Sequence, residues 1–349
     1  MSAFGTTTAT VSMIAPGDCN VPSPGNDGIS SLRWSPTANF LVSTNWDAGV
    51  RCWEVQEQGG QIRANPKAQV NHEANSPVLD SCFSNDGSTV FSVGCDKAVR
   101  MWRLGETPPN NLAQQIGVHD APVKAVRFLP SNLVVSGGWD RKLKFWDTRS
   151  PNPAGVLEMP ERVYDLDVRG NLMVVATAGR HLLTYNVGGP QPQEHSRRES
   201  PLKFQSRCVA CFPDQTGFAV GGIEGRVGIQ YVQKIPNKDH FAFKCHRQDN
   251  NAYAVNCMAF QNQYGTFATV GSDGVVNFWD KDNKQRLKGF QALSRPIPCA
   301  AFNAQGNLFA YASSYDWSRG SQHHQPGTPN EIFIHYTPDD EIRPKAKKR

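Results

Sequence analysis

Seven times along this chain a short apolar run ends at or near an aromatic residue: ISSLRW, VLDSCF, VKAVRF, VYDLDV, RCVACF, VNCMAF and IPCAAF. Measured from Trp34 through Phe83, Phe128, Val168, Phe212 and Phe260 to Phe302, the spacings are 49, 45, 40, 44, 48 and 42 residues. A second pattern recurs between these runs. NWDAGVRCWEV, GCDKAVRMWRL, GGWDRKLKFWD and GSDGVVNFWDK set Asp47, Asp96, Asp140 and Asp273 each six residues before Trp53, Trp102, Trp146 and Trp279. TAGRHLLTYNV and GGIEGRVGIQYV are degenerate copies, with Gly179 and Tyr185 in the first and Glu224 and Gln230 in the second. A unit of this length cannot bury its own apolar face, so neighbouring units must cover one another.

Short alternating strands, a period of 40 to 50 residues and tryptophan–aspartate endings predict an all-β chain folded as a seven-bladed WD-repeat β-propeller. Seven blades form one domain, placed at residues 18–337. After EIFIHY at 331–336 the sequence offers no outer strand for the seventh blade. The segment DCNVPS, 18–23, is expected to supply it and so remove an exposed sheet edge. Residues 1–17, rich in Thr, Ala and Ser, read as a disordered tail, and 338–349 as a basic tail.

In such a blade the turn aspartate is scaffold. Asp140 is placed to accept hydrogen bonds from backbone and from His119, and Trp146 to donate its indole N–H within the same network. Asp47, Asp96 and Asp273 are assigned the same structural role, with Trp53, Trp102 and Trp279.

Catalytic machinery is not legible. The chain has no G-x-x-x-x-G-K-[ST], H-E-x-x-H or G-x-S-x-G, and DKDNKQ carries Lys284 where a calcium loop needs oxygen. Nine cysteines include one close pair, Cys208 and Cys211, without a second C-x-x-C, so neither disulfides nor a zinc site is expected. The innermost strands read as Val, Ala, Cys and Leu, which argues against an active site in a central channel. No cofactor, metal or catalytic residue is assigned. No apolar run approaches the length of a membrane span, and the first thirty residues lack the order of a secretory signal. A soluble intracellular binding platform is the expectation.

Charge is unevenly distributed. The net charge is +5, but His195 to Arg247 holds nine Lys/Arg against four Asp/Glu, and RPKAKKR is a second basic run. The turns and inter-blade loops place Arg162, Lys203, Arg207, Arg226, Lys244, Arg247 and Lys281 in an arc over blades four to six, interrupted by Trp139, Phe204 and Phe243. Cations around aromatics suit an acidic, partly apolar peptide. Arg343, Lys345, Lys347, Lys348 and Arg349 are candidate non-specific contacts to nucleic-acid phosphates, or a nuclear import signal.

PERVY, SPLKFQSR, IEGRV, FKCHR, YAVN, FATVGSDGVVNFWDKD and FAYASSYDWSRG resemble the Rae/Gle-type mRNA export factors, WD-repeat proteins of the nuclear pore. The resemblance runs over nearly the whole chain. EGRV, KCHR and GSDG are shared with the sister Bub-type mitotic-checkpoint propellers, which bind GLEBS segments of checkpoint kinases; SSYDWSRG, PERVY and the basic tail favour the export factors. The resemblance implies a non-enzymatic adaptor that binds the GLEBS segment of a GLFG-repeat nucleoporin and supports export of polyadenylated mRNA. It further implies location at the nuclear envelope rim with shuttling to the cytoplasm, and in some organisms a role in the mitotic spindle. The peptide would cross the face bearing Arg226, Lys244 and Lys281. The loop SQHHQPGTPN, 321–330, has no counterpart in the family pattern.

Overall fold

A computed structural model describes residues 13–325 and 327–345. Within them stand seven four-stranded antiparallel sheets. Six are consecutive in the chain, beginning with the inner strands Ile29–Trp34, Val78–Phe83, Val123–Phe128, Val163–Arg169, Ser206–Cys211 and Val255–Phe260. The seventh joins Ala300–Phe302, Leu308–Ser313 and Glu331–Tyr336 to Cys19–Asn20, with Cys19 opposite Ile334 and Asn20 opposite Phe333. Each inner strand packs beside the next, and Ala300–Phe302 lies beside Ile29–Trp34, closing the ring. The chain is therefore a seven-bladed propeller fastened by its N-terminal segment.

Local sequence explains the strand types. Second strands are covered on both faces by adjacent blades and read as continuous apolar or small runs; in Leu172–Thr177, LMVVAT, every residue is buried. The first strands of blades one to six each carry a register shift near their start, for example between Val123 and Ala125. Such a bulge adds local twist and turns the following side chains toward the ring axis. The core is divided accordingly. Seven apolar clusters fill the seven seams between neighbouring blades, such as Phe91, Val93 and Met101 against Val126, Val134 and Trp146 between blades two and three.

The aspartate–tryptophan pattern builds a hydrogen-bonded relay in two blades. In blade three the Asp140 carboxylate accepts from His119 Nδ1 at 2.9 Å and from the backbone N–H of Asp120 and Lys142. His119 Nε2 meets Ser136 Oγ at 2.7 Å, and Trp146 Nε1 donates to that oxygen at 2.8 Å. Burial lowers the His119 pKa, with Asp140 opposing; the neutral ring donates at Nδ1 and accepts at Nε2. Blade six repeats the relay with Asp273, His246, Thr269 and Trp279. Gly138 and Gly271 are required here. A Cβ on Gly138 would lie 2.3 Å from Asp140 Oδ1, and one on Gly271 would lie 2.7 Å from His246 Nδ1.

The other two copies depart from the expected network. In blade two His72 joins Asp96 to Ser92, but Trp102 donates to the Glu106 carbonyl. Blade one has no histidine; Arg51 grips Asp47 with two bonds of 2.9 and 2.8 Å, and Trp53 donates to the Pro22 carbonyl. The aspartates keep their scaffold role there, while those two indoles hold neighbouring backbone.

The ordered body extends past both expected bounds. Ile14 is buried between blades six and seven, and its N–H donates to the Tyr311 hydroxyl. Residues 1–12 of the expected tail lie outside the described residues. At the other end a single helical turn, Asp339–Ile342, buries Ile342 in the same seam. Between the two ends sits His335, with Nδ1 2.7 Å from Asp18 and Nε2 2.9 Å from Glu341. Tyr311 donates to the second Asp18 oxygen at 2.7 Å, and Lys288 lies 3.2 Å from Glu341. Burial disfavours the His335 charge, but the two carboxylates outweigh it and raise its pKa to about 9 from 6.5. Both ring nitrogens are thus donors, and one imidazolium fastens both chain ends to blade seven.

Asp140→Ala leaves His119 and two backbone donors unpaired and should cost about 1–3 kcal/mol, read as a lower midpoint in thermal or urea unfolding. The His335 contribution, on the order of 3 kcal/mol, is whole below pH 6.5 and is lost as pH rises through about 9. Unfolding midpoints of the parent should therefore fall across that window, whereas His335→Gln should start lower and lack that fall.

Candidate peptide-binding face

The turns between second and third strands, and the loops from each outer strand to the next blade, open on one end of the ring, here the upper face. Blades one to three and six present turns built on Asp47, Asp96, Asp140 and Asp273, while blade five does not. At the equivalent position Glu224 accepts the Lys203 backbone N–H at 2.8 Å, and its carboxylate lies 3.7 Å from Arg226 Nε and 4.0 Å from Arg247. Arg247 also donates to the Glu224 carbonyl at 3.0 Å. Arg226 begins its strand and Lys244 ends the next, and the two are register partners at the upper rim. Two arginines thus flank one nearly buried carboxylate, with Lys203 bonded to it through its backbone and Lys244 paired in register with Arg226, leaving an excess of positive charge at this rim.

Apolar side chains stand among these cations. Phe204 is 57% exposed, Ile223 40% and Trp139 38%; exposed apolar groups gathered on a polar-rimmed face mark interaction surfaces. Arg207 is half-buried at the inner end of blade five, and Arg162 lies in the loop before blade four, 3.9 Å from Glu161. The structure therefore brings Lys203, Arg207, Arg226, Lys244, Arg247, Arg162 and Trp139 to one face.

Two residues expected there belong elsewhere. Lys281 follows the third strand of blade six and so sits at the opposite, lower end of the ring. It is buried, with Nζ 4.9 Å from the centre of the Phe212 ring and 2.8 Å from Asp282. Phe243 turns into the seam between blades five and six, its ring 4.8 Å from Trp279 and 6.4 Å from Phe267. Strand alternation separates it from its exposed neighbours. In the basic tail, the Lys345 carbonyl accepts from Gln285 and its Nζ reaches the Leu287 carbonyl, so the segment runs along the edge of blade six. Arg343 is exposed beside it; Lys347, Lys348 and Arg349 lie outside the described residues.

Other features were not anticipated. The channel is not lined only by apolar groups. Arg127 bridges Asp80 at 2.5 Å and Asp167 at 3.2 Å, and Arg33 holds Asp80 from the other side at 3.0 Å. Burial pushes the Asp80 pKa up, but Arg127 and Arg33 more than offset it and hold it at about 2. These charges are internally paired and form a belt, a structural device rather than a set of free ligands. On the upper face a cleft of 1210 Å3 lies between blades five and seven, lined by Arg207, Tyr253, Arg295, Trp317 and His324 among others. Residues 315–325 and 327–330 contribute to its lining, and there His324 stacks on Trp317 at 5.0 Å and 14°. Among the described residues no group of three or more His, Cys, Asp or Glu side chains could hold a metal, and no helix is long and apolar enough to cross a membrane.

The WD domain, G-beta repeat model matches residues 18–54, 66–103, 110–147 and 238–280. The chain is 47% identical to protein RAE1 of Arabidopsis thaliana over 328 residues, covering 93% of this chain and 92% of that one. It is 47% identical to the mRNA export factor of Danio rerio, covering 99% and 95%. With the mRNA export factor GLE2 of Chaetomium thermophilum identity is 41%, covering 99% of each.

The position of Lys281 yields a test. Lys281→Ala removes a buried ammonium from the Phe212 ring and should lower stability by about 1 kcal/mol or more. Thermal unfolding should show this loss with no change in any ligand bound on the upper face.

Proposed function

The chain belongs to the family of WD-repeat mRNA export factors that includes RAE1 and GLE2, and we propose that it is a non-enzymatic adaptor in mRNA export. Its upper face takes the GLEBS segment of a GLFG-repeat nucleoporin, and through that contact the protein resides at the nuclear pore and shuttles to the cytoplasm. The observation that carries this reading is blade five. There the scaffold aspartate is replaced by Glu224, and Arg226, Lys244, Arg247 and Lys203 gather about it beside exposed Phe204 and Ile223. Acidic side chains of a bound peptide would pair with the surplus cations while its apolar side chains cover Phe204 and Ile223. The Arg343 and Lys345 segment, with the residues that follow, adds sequence-independent phosphate contacts for the mRNA.

Calorimetric titration of the GLEBS segment into parent, Arg226→Glu and Lys244→Glu protein tests the peptide assignment. A desolvated pair that is broken costs about 2–5 kcal/mol, whereas an exposed rim pair is worth about 0–1. Each reversal should weaken binding at least tenfold, with melting temperatures held near the parent's. Parental affinity in both variants would sink the assignment. For the tail, deletion of residues 343–349 should flatten the salt dependence of RNA binding by about 0.7 for each phosphate no longer neutralised. An unchanged slope with failed nuclear entry would make the tail an import address.

A further inference from the structure

An aspartate followed by glycine can close a ring on its own main chain, because glycine offers its amide nitrogen with no side chain in the way. The sequence holds three such pairs, Asp27 with Gly28, Asp86 with Gly87 and Asp273 with Gly274, and no Asn–Gly. The fold treats them differently. The Gly87 N–H is held by the Ser84 carbonyl at 2.9 Å and the Gly274 N–H by the Gly271 carbonyl at 3.1 Å. Their carboxylates are held as well, Asp86 by the hydroxyls of Ser84 and Ser88, Asp273 by His246 and the Val275 N–H. The Gly28 N–H instead donates to Oδ1 of Asp27 itself, at 2.6 Å. Among the described residues that is the one hydrogen bond this carboxylate makes, and it forms no ion pair.

Nucleophile and electrophile are therefore in contact at one pair of the three. We propose that Asp27 is a site of spontaneous isoaspartate formation, and that the conversion loosens the closure of the ring. The Gly28 amide nitrogen attacks Cγ of the protonated carboxyl. The N–Cγ bond forms, the Cγ–OH bond breaks, and the hydroxyl leaves with the amide proton as one water. Water then adds to the succinimide. Opening at Cγ restores Asp27, whereas opening at the α-carbonyl leaves isoaspartate, whose main chain runs through Cβ and Cγ. The sequence consumes no oxidant, metal or enzyme, and contact in the folded chain supplies the orientation that a free chain must find.

The place gives the reaction its consequence. Residues 21–28 lead from the closing strand to the first inner strand, and they are tied down along the way. Asn45 donates to the Pro24 carbonyl at 2.8 Å, and the Asn26 N–H donates to Asp47 at 2.9 Å. The Gly28 carbonyl accepts the Trp46 N–H at 2.9 Å, and the Ile29 N–H reaches Ser314 Oγ of blade seven at 3.3 Å. Isoaspartate adds a methylene to the main chain between these anchors and turns the Asp27 carbonyl, which faces Asn45 Nδ2 at 3.4 Å, into a free carboxylate. The added length falls at the joint of blades one and seven. This inference is independent of the peptide reading.

The test ages the full chain in water enriched in oxygen-18, warm and at mildly acidic pH, then maps tryptic peptides by electron-transfer fragmentation, which distinguishes the two backbones. Passage through the succinimide adds one solvent oxygen. In folded protein Asp27 should gain label and isoaspartate several-fold faster than Asp86 and Asp273, whereas in urea the three should react alike. Gly28→Ala should slow the reaction at Asp27 without unfolding the chain, since the added Cβ would meet Trp46 at 3.5 Å and the Tyr315 carbonyl at 3.6 Å, both ordinary contacts. Asp27→Glu keeps the charge, but its longer side chain does not close the same ring. The converted fraction of the parent should unfold a few degrees lower than fresh protein, while both variants aged in parallel keep their own midpoints. Equal labelling of the three aspartates in folded protein would overturn the proposal. So would a converted fraction that unfolds at the midpoint of fresh protein.

Discussion

Everything in this molecule depends on a two-residue pairing. Without Cys19–Asn20 along Glu331–Tyr336, blade seven would be a three-stranded sheet with a bare edge, and the ring could open along the seam it shares with blade one. The contact is too short to hold by backbone bonds alone, and the structure reinforces it chemically. Trp53 of blade one takes the Pro22 carbonyl, Tyr311 and His335 of blade seven share the Asp18 carboxylate, and Val21 fills the seam among Ile29, Leu32 and Ile334. The sixth and seventh blades receive Ile14 and Ile342 from opposite ends of the chain. Closure is thus distributed over hydrogen bonds, one bridging imidazolium and apolar burial, and it fixes the circular geometry that brings the upper-face loops together.

Much of this was legible because repetition multiplies a weak signal. One aspartate six residues before a tryptophan says little, whereas four copies at a 40 to 50 residue period specify a turn, a strand and a partner for each. The relay around Asp140 was readable from His119 upstream, and that around Asp273 could have been found the same way, since His246 occupies the corresponding position. His246 was hidden by its basic neighbours Lys244 and Arg247. The fates of Trp53 and Trp102 were not readable, because an indole takes whichever acceptor lies nearest: Pro22 arrives from the N-terminal segment only in the folded ring, and Glu106 arrives through the turn after Trp102.

The misplaced site residues have a common physical cause. Sequence distance along a strand does not state which end of the ring a residue occupies. Lys281, beside Trp279 in the sequence, is separated from Arg226 and Lys244 by the length of a strand. Phe243 lies next to Lys244 but on the other side of the pleat, where Trp279 and Phe267 receive it. The channel charges escaped notice for a related reason: Arg33 and Arg127 look like solvent-facing alternates of a half-buried strand. Inner strands have no solvent side of the usual kind, and these arginines pair with Asp80 and Asp167 on neighbouring inner strands. The degenerate blades are the converse case. Blade five lacks the relay found in blades three and six, and its nearly buried Glu224 is met by Arg226, Arg247 and the Lys203 N–H in place of a histidine.

The shared seat of the two chain ends also sets an order of events during synthesis. Tyr311 and Asp18 are 293 positions apart and His335 and Asp18 are 317 apart, so neither contact can exist until nearly the whole chain has left the ribosome. Blades one to six can form as local units of consecutive strands, with the residues around Cys19 waiting unpaired. Closure is then a single long-range event of high entropic cost. During that interval the edge of Glu331–Tyr336 is open to any other extended segment, including the same segment of a neighbouring chain. That exposure ends only when Cys19–Asn20 docks along Glu331–Tyr336.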